Sequence, residues 1–351
     1  MSMKDINLQL PLPSDEEMNK WFNLFEKRTD VSLPFQEEEE KDFDEGDKIS
    51  LEEVKGNPSS KAMDELMGLV GLDNIKAAIR REISYHHIME VRRNAGRRVP
   101  KRIMHMLLTG NPGCGKTTVA KLIGRIYKEE GILNNDVFIE TNRAGLVGQY
   151  IGESEHHTRH LIEKAKGGIL FIDEIYSLSD NADGGGTRDF GRRVIDTLIP
   201  VLSDPESGVM VIGAGYPKEM KQFLEMNSGL ASRFPTILEF KDFTKEQLME
   251  IAQLQVKKYD FVFSPEAEQK FSELIDRCSR NSNCGNARMV VTTIENYVLP
   301  ALCMRLDEGD YTSLNIDEMS RILPEDIPGI EEVMGILKQD SRLASAGFKL
   351  K

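Results

Sequence analysis

Residues 110–118 read "GNPGCGKTT"; the apolar run "RIMHMLLT" (102–109) precedes them and the helix-forming stretch "TTVAKLIGRIYKEE" (117–130) follows. This is the strand, glycine-rich turn and helix context that the pattern G-x-x-x-x-G-K-[ST] needs. Glycines let successive backbone N–H groups curl around phosphate oxygens, and the start of the helix adds its positive dipole end. On this reading Asn111, Pro112, Gly113, Cys114 and Gly115 form the cradle, with Thr118 in the turn that follows. Lys116 reaches the β- and γ-phosphates, and Thr117 offers its hydroxyl to Mg²⁺. Cys114 reads as a tolerated small residue of the loop.

A phosphate loop needs a second half from another strand end. "GGILFIDEIYSL" (167–178) supplies it, because four apolar residues lead to Asp173 and Glu174, where open α/β sheets bind ligands. Asp173 is expected to orient Mg²⁺ and its waters, and Glu174 to polarise the attacking water. Together the two motifs describe a nucleoside triphosphate hydrolysis site.

Further apolar runs, "DVFIET" (136–141), "VMVIGA" (209–214) and "TILEF" (236–240), alternate with helical segments. Runs without polar alternation predict parallel strands buried on both faces, hence a doubly wound α/β domain over 61–241. After Lys241 the strands stop. "TKEQLMEIAQLQVKKY", with Thr244 as cap and Gln247 at the third position, and "SPEAEQKFSELIDRC", capped by Ser264 with Pro265 in the first turn, predict a small helical domain over 242–351.

Residues 1–60 differ in composition. They hold 16 acidic against 7 basic residues, so this segment contributes −9 of the −13 net charge. With the run "EEEEKDFDEGD" (37–47) they read as an acidic, largely disordered segment. One stretch within it, "SDEEMNKWFNLFEKR" (14–28), starts with a Ser14–Glu17 capping box and places Met18, Trp21, Phe22 and Phe25 on one helical face. That face packs on the chain's own body or docks on a partner.

The acidic balance, with a pI near 5.1, argues against nucleic acid as a partner, since phosphate-backbone affinity comes from clustered Lys and Arg. Four cysteines without a CxxC pairing, no signal-peptide pattern and no apolar run of membrane-spanning length predict a soluble cytoplasmic protein with no membrane partner. His156 and His160 in "EHHTRH" have a zinc-compatible spacing but no third ligand, and read as a solvated helix face. Cys278 and Cys284 read as edge residues of the helical domain.

Taken in order, "GLVGLDNIK" (68–76), "GNPGCGKTT", "LVGQYIGESE" (146–155), "GGILFIDEIYSL", "VIGAGYPKEM" (211–220), "SGLASRF" (228–234) and "GNAR" (285–288) resemble the AAA+ ATPases. Within them the chain is similar to the CbbX family, which includes red-type Rubisco activases and a sporulation protein. The resemblance covers about residues 64–330. It implies an ATP- and Mg²⁺-dependent homo-oligomeric ring, expected as a hexamer, that remodels a protein partner. It matches Arg233 to an arginine finger that reaches a neighbouring subunit's γ-phosphate, Arg288 to a second sensor, and Val70 and Gly71 to adenine contacts. Tyr216 stands where the wider family often has Asn as a first sensor. Tyr150, Ile151 and Gly152 match an aromatic-aliphatic-glycine pore loop, and 179–193 a second one. Two other functional classes are an ATP-gated scaffold that threads nothing and a nucleic-acid motor, the latter disfavoured by the acidic pI and the aromatic loop. The partner's identity lies beyond these motifs.

Overall fold

The computed structural model describes residues 60–148, 150, 152–179, 190–226, 228–279, 285–309 and 314–333. The capping-box stretch at 14–28, Ile151, most of the segment 179–193 and Cys284 lie outside them.

The α/β part runs α1 (Lys61–Gly68), α2 (Asp73–Asn94), β1 (Met106–Gly110), α3 (Lys116–Glu129), β2 (Phe138–Thr141), α4 (Arg143–Leu146), α5 (Glu153–Lys164), β3 (Ile169–Ile172), α6 (Phe190–Ser203), β4 (Met210–Gly215), α7 (Pro217–Met226), α8 (Ser228–Ala231) and β5 (Thr236–Phe240). Each of the five apolar runs forms a strand. They pair in the order β2-β3-β4-β1-β5, all parallel. Because the side-chain period of a strand is two, Met106 and Leu108 enter one core and Leu107 the other. The first core packs β-strand residues such as Phe171 and Ile212 against Leu66, Ile79, Ile123 and Tyr127 of α1, α2 and α3. The second packs Leu170, Ile172 and Val211 against Ile162, Val194, Leu198 and Phe223 of α5, α6 and α7. Both faces are covered over the central strands β1, β3 and β4, which are buried along almost their whole length; the outer strands β2 and β5 were expected to be buried as well but are only partly so, because each has a neighbour on one side alone.

The chain then forms a helical lid: α9 (Lys245–Lys257), β6 (Val262–Phe263), α10 (Pro265–Ser279), α11 (Asn286–Thr293), a π-helical turn (Ile294–Val298), α12 (Leu299–Glu308), α13 (Ile316–Met319) and β7 (Arg321–Ile322). The Thr244–Gln247 capping box is formed in both directions, and Ser264 Oγ accepts from Ala267 N at 3.2 Å. A cap of this kind contributes about 1 kcal/mol. The π turn precedes Pro300, whose missing N–H cannot continue an α-helical ladder. Phe271, Ile275, Met289, Val290, Ile294 and Leu302 form the lid's own core. Arg305 donates to both oxygens of buried Asp326, at 2.8 and 2.9 Å, tying α12 to the turn after β7. An exposed pair such as Lys101–Glu206 contributes at most about 1 kcal/mol, whereas breaking the Asp326 pair would leave a buried charge uncompensated.

β1 begins three residues later than the run "IMHMLLT" suggests. His105, 3% exposed, accepts the Val211 N–H through Nδ1 at 3.0 Å, so its imidazole rather than its backbone meets β4. Burial holds this histidine's pKa down at about 4, against a weaker raising effect of the Val201 backbone. The unfolded chain therefore binds a proton in a range where the folded chain does not. The folding stability tied to His105 is full above pH 6.5 and is lost as pH falls towards 4, a drop of about 2 kcal/mol between pH 7.5 and 5. Urea unfolding of the wild type and His105→Gln at both pH values checks this. The wild type is expected to lose more than the variant, and equal losses would contradict it.

Candidate functional site

In a parallel sheet the carboxyl ends of all strands share one edge, so the segments after β1, β3, β4 and β5 come together without further instruction. After β1, residues 111–115 form the loop and Lys116 opens α3. Gly113 (φ +73°) and Gly115 (φ +92°) both adopt left-handed backbone. Lys116 Nζ donates to the carbonyls of Gly110 at 2.7 Å and Asn111 at 2.9 Å, and lies 3.7 Å from Cys114 Sγ. Phosphate oxygens bound here would compete with those carbonyls for the ammonium. Cys114 is buried, and burial raises its thiol pKa despite the nearby lysine, so the thiolate needed for redox chemistry is disfavoured.

After β3, Asp173 N donates to Thr141 O at 2.8 Å, and Asp173 Oδ1 accepts from Glu174 N at 3.1 Å. Glu174 has φ +50°, a region that a non-glycine residue occupies at some cost. That conformation turns the two neighbouring carboxylates to different places. After β4, Tyr216 donates its hydroxyl proton to Glu174 Oε1 at 3.3 Å. Its ring lies 5.5 Å from Lys116 Nζ and 5.8 Å from the ring of Tyr176. Burial, then the Glu174 charge, push the Tyr216 phenol up to about 12, with Arg288 acting in the opposite sense, so the hydroxyl remains a donor. The sheet edge thus brings together Lys116, Thr117, Asp173, Glu174 and Tyr216.

The lid closes the site from above. An added Cβ at Gly113 would collide with the Gly285 carbonyl oxygen and approach Arg288 Cβ to 3.0 Å, so the loop and the start of α11 are in direct contact. Val70 is buried, and Gly71 (φ +62°) and Leu72 (φ +59°) turn the chain into α2. A Cβ at Gly71 would come 2.6 Å from Gln247 Nε2, so the predicted adenine-side segment faces the first turn of α9.

Arg233, and Tyr150 and Gly152 of the predicted pore loop, lie elsewhere, Gly152 (φ +90°) capping α5. Arg233 precedes β5, and the adjacent Phe234 ring packs at 6.2 Å on His105, which precedes β1. Arg233 is therefore at the amino-terminal edge of the sheet, while Lys116 follows β1 at the other edge, across a strand of roughly five residues at ~3.3 Å each. Arg233 Nε donates to Ser203 Oγ at 2.7 Å, and its guanidinium also bonds the Gly229 carbonyl. Tyr150 is 70% exposed. Its backbone N–H bonds Glu153 Oε2 at 3.0 Å, and Gly148 N bonds the buried Ser154 Oγ at 3.0 Å. The base of this loop is thus fastened to α5 while the ring projects.

Sequence reasoning passed over Tyr176, Asp242 and Asn286. "GNAR" contained a signal for the last, since an Asn that opens a helix after Gly is suited to a positive φ. His156 and His160 stack at 6.5 Å on α5, and among the described residues no cluster of three potential metal-binding side chains exists. No helix among them is long and apolar enough to cross a membrane.

Residues 106–242 match the signature of the ATPase family associated with various cellular activities, and 244–335 match an AAA lid domain. Stage V sporulation protein K of Bacillus subtilis (strain 168) is 40% identical over 274 residues, covering 77% of this chain and 83% of that protein. The chloroplastic ribulose bisphosphate carboxylase/oxygenase activase of Cyanidioschyzon merolae (strain NIES-3377 / 10D) is 34% identical over 246 residues, covering 69% and 82%. Among solved structures, the FIGL-1 AAA domain in complex with ADP superposes with a TM-score of 0.51 at 21% identity, over 80% of this chain and 87% of that one, a likeness of fold. The chain is therefore a nucleotide-binding ATPase of the AAA family and belongs, within it, to the CbbX and SpoVK-like group.

Proposed function

We propose that this ATPase is Mg²⁺-dependent, works as a homo-oligomeric ring, expected as a hexamer, and remodels a protein partner by drawing its chain through the central pore. The observation that carries the reading is the division of the predicted machinery between two edges of one sheet. Lys116, Thr117, Asp173, Glu174 and Tyr216 share the carboxyl edge, and Arg233 stands at the opposite edge of the same chain. An arginine so placed serves a phosphate group on a neighbouring subunit more readily than its own.

The donor set fits Mg²⁺. A hydroxyl from Thr117 and one carboxylate from Asp173 are hard oxygen ligands, and Mg²⁺ commonly takes one or two carboxylates and completes its shell with water and phosphate. When bound there it would neutralise charge on the β- and γ-phosphates. The protein groups divide the remaining work. Lys116 exchanges its two carbonyl partners for phosphate oxygens. Glu174 accepts a proton from the water whose oxygen bonds to the γ-phosphorus, while the bond to the bridging oxygen breaks and ADP leaves with the electron pair. Tyr216 donates to the Glu174 carboxylate and so fixes its direction, and Arg288 brings the lid to the same pocket. Val70 and Gly71 take the adenine.

Remodelling is supported by Tyr150, a large apolar ring held out on a fastened loop. A ring of such side chains can grip any extended polypeptide by contact area, without sequence readout. The partner this supports is a protein chain. Tyr150→Ala is expected to keep nucleotide affinity and assembly but to lose at least tenfold in ATPase stimulation by a permanently unfolded polypeptide such as casein. Tyr150→Phe should retain most of that stimulation. Equal stimulation of the alanine variant and the wild type would replace threading with the scaffold reading.

A further inference from the structure

Asn286 is nine-tenths buried and has φ +50°. Asparagine tolerates that region better than most residues, but the strain persists only where the surroundings hold it. Here the amide is bonded at both ends. Its Oδ1 accepts from Phe243 N at 3.1 Å, and its Nδ2 donates to Asp242 Oδ1 at 2.9 Å and to the Pro112 carbonyl at 3.2 Å. Asp242 in turn accepts from Asn111 Nδ2 at 3.0 and 2.9 Å on its two oxygens. One side chain of the lid, one of the segment joining β5 to α9 and one of the loop therefore form a single polar bridge.

The bridge determines the direction of a peptide plane. In a trans peptide the C=O and the following N–H point to opposite sides of the chain. Holding the Pro112 carbonyl towards Asn286 turns the Gly113 N–H the other way, into the concave side of the loop where an anion is cradled. The geometry points to Asn286, braced by Asp242, as a positioning residue that aims the Gly113 N–H at bound phosphate and makes the loop's anion affinity depend on the lid. Withdrawal of α11 frees the Pro112–Gly113 peptide to rotate, so lid opening and nucleotide release become one event. This rests on the reading of residues 110–118 as the phosphate loop.

The test uses the full chain and fluorescent ADP, with ATP turnover measured alongside. Asn286→Gly keeps the positive φ and deletes the bridge. It is expected to raise the Kd for ADP and the KM for ATP about tenfold, with a much smaller change in kcat, because the chemical groups stay in place. Asn286→Asp should bind at least as poorly, since a carboxylate would face both the Pro112 carbonyl and Asp242. Adding Asp242→Asn to Asn286→Asp restores a donor–acceptor pair between those two side chains but still leaves the Pro112 carbonyl facing a carboxylate, so the affinity should stay low, whereas a role confined to the Asn286–Asp242 contact would recover it. Unchanged Kd in Asn286→Gly, or recovered affinity in the double variant, would overturn the inference. A wild-type chain that binds no ADP would overturn the phosphate-loop reading as well, so the two failures are told apart by the wild-type titration.

Discussion

Glu174→Gln is expected to bind ATP with near wild-type affinity and to hydrolyse it at least a hundredfold more slowly. The amide keeps the size of the carboxylate and can still accept the Tyr216 hydroxyl through its oxygen, the bond now 3.3 Å long. It cannot take a proton from water at neutral pH. General-base catalysis contributes about 10² to 10⁴ in rate, so this single exchange of oxygen for nitrogen outweighs any plausible change in packing at an exposed side chain. Phosphate release at saturating ATP gives the rate, and fluorescent ADP gives the affinity. Hydrolysis at the wild-type rate would show that another group activates the water. Loss of binding together with rate would instead mean that the Asp173–Glu174 turn, with its φ of +50° at Glu174, had not survived the exchange.

The second large effect concerns Arg233. Arg233→Ala is expected to lower ATP turnover by about 10³ or more, the scale of arginine fingers in general. The position of Arg233 at the amino-terminal edge of the sheet adds a sharper expectation. If the residue serves a neighbour's γ-phosphate, chains carrying Arg233→Ala mixed with chains carrying Lys116→Ala should regain part of the activity that neither has alone. In such a mixture some interfaces pair an intact loop with an intact finger. Co-assembly is verified separately, by pull-down of one tagged chain with the other. Mixed assemblies that remain inactive at every ratio would contradict a shared site. Arg233 now bonds Ser203 Oγ and the Gly229 carbonyl, so a Ser203→Ala control distinguishes loss of the finger from loss of a local contact. That control should retain most of the turnover.

Much of this architecture was legible before any coordinates. The loop at 110–118, the carboxylates at 173 and 174 and the capping boxes of the lid are local signals, in which residues a few positions apart act through one turn of backbone. The central parallel strands are equally local signals, because a strand covered on both faces, as β3 and β4 are, must be apolar at nearly every position. The resemblance of the ordered motifs then extended the reading to Arg233, Arg288 and Tyr150, whose roles no local rule would assign. The late start of β1 was not legible, because it depends on an imidazole meeting a backbone N–H 106 positions away.

What the chain's own sequence determined is the chemistry available: a glycine-rich loop before a helix, two strand-end carboxylates, a sheet whose parallel strands deliver them to one edge, and a helical lid. What only the tertiary structure decided is which groups meet. Tyr216 and Glu174 are 42 positions apart, and Asn286 and Pro112 are 174 apart. No propensity or period relates residues so distant. Their contacts follow from the strand order β2-β3-β4-β1-β5, which sets the end of β4 beside the end of β3 and the end of β1 beside that of β5, and from the packing of α11 against the glycine turn. The same order puts Arg233 beyond reach of the glycine-rich loop of its own chain, because a residue that precedes a parallel strand and one that follows its neighbour stand a full strand length apart.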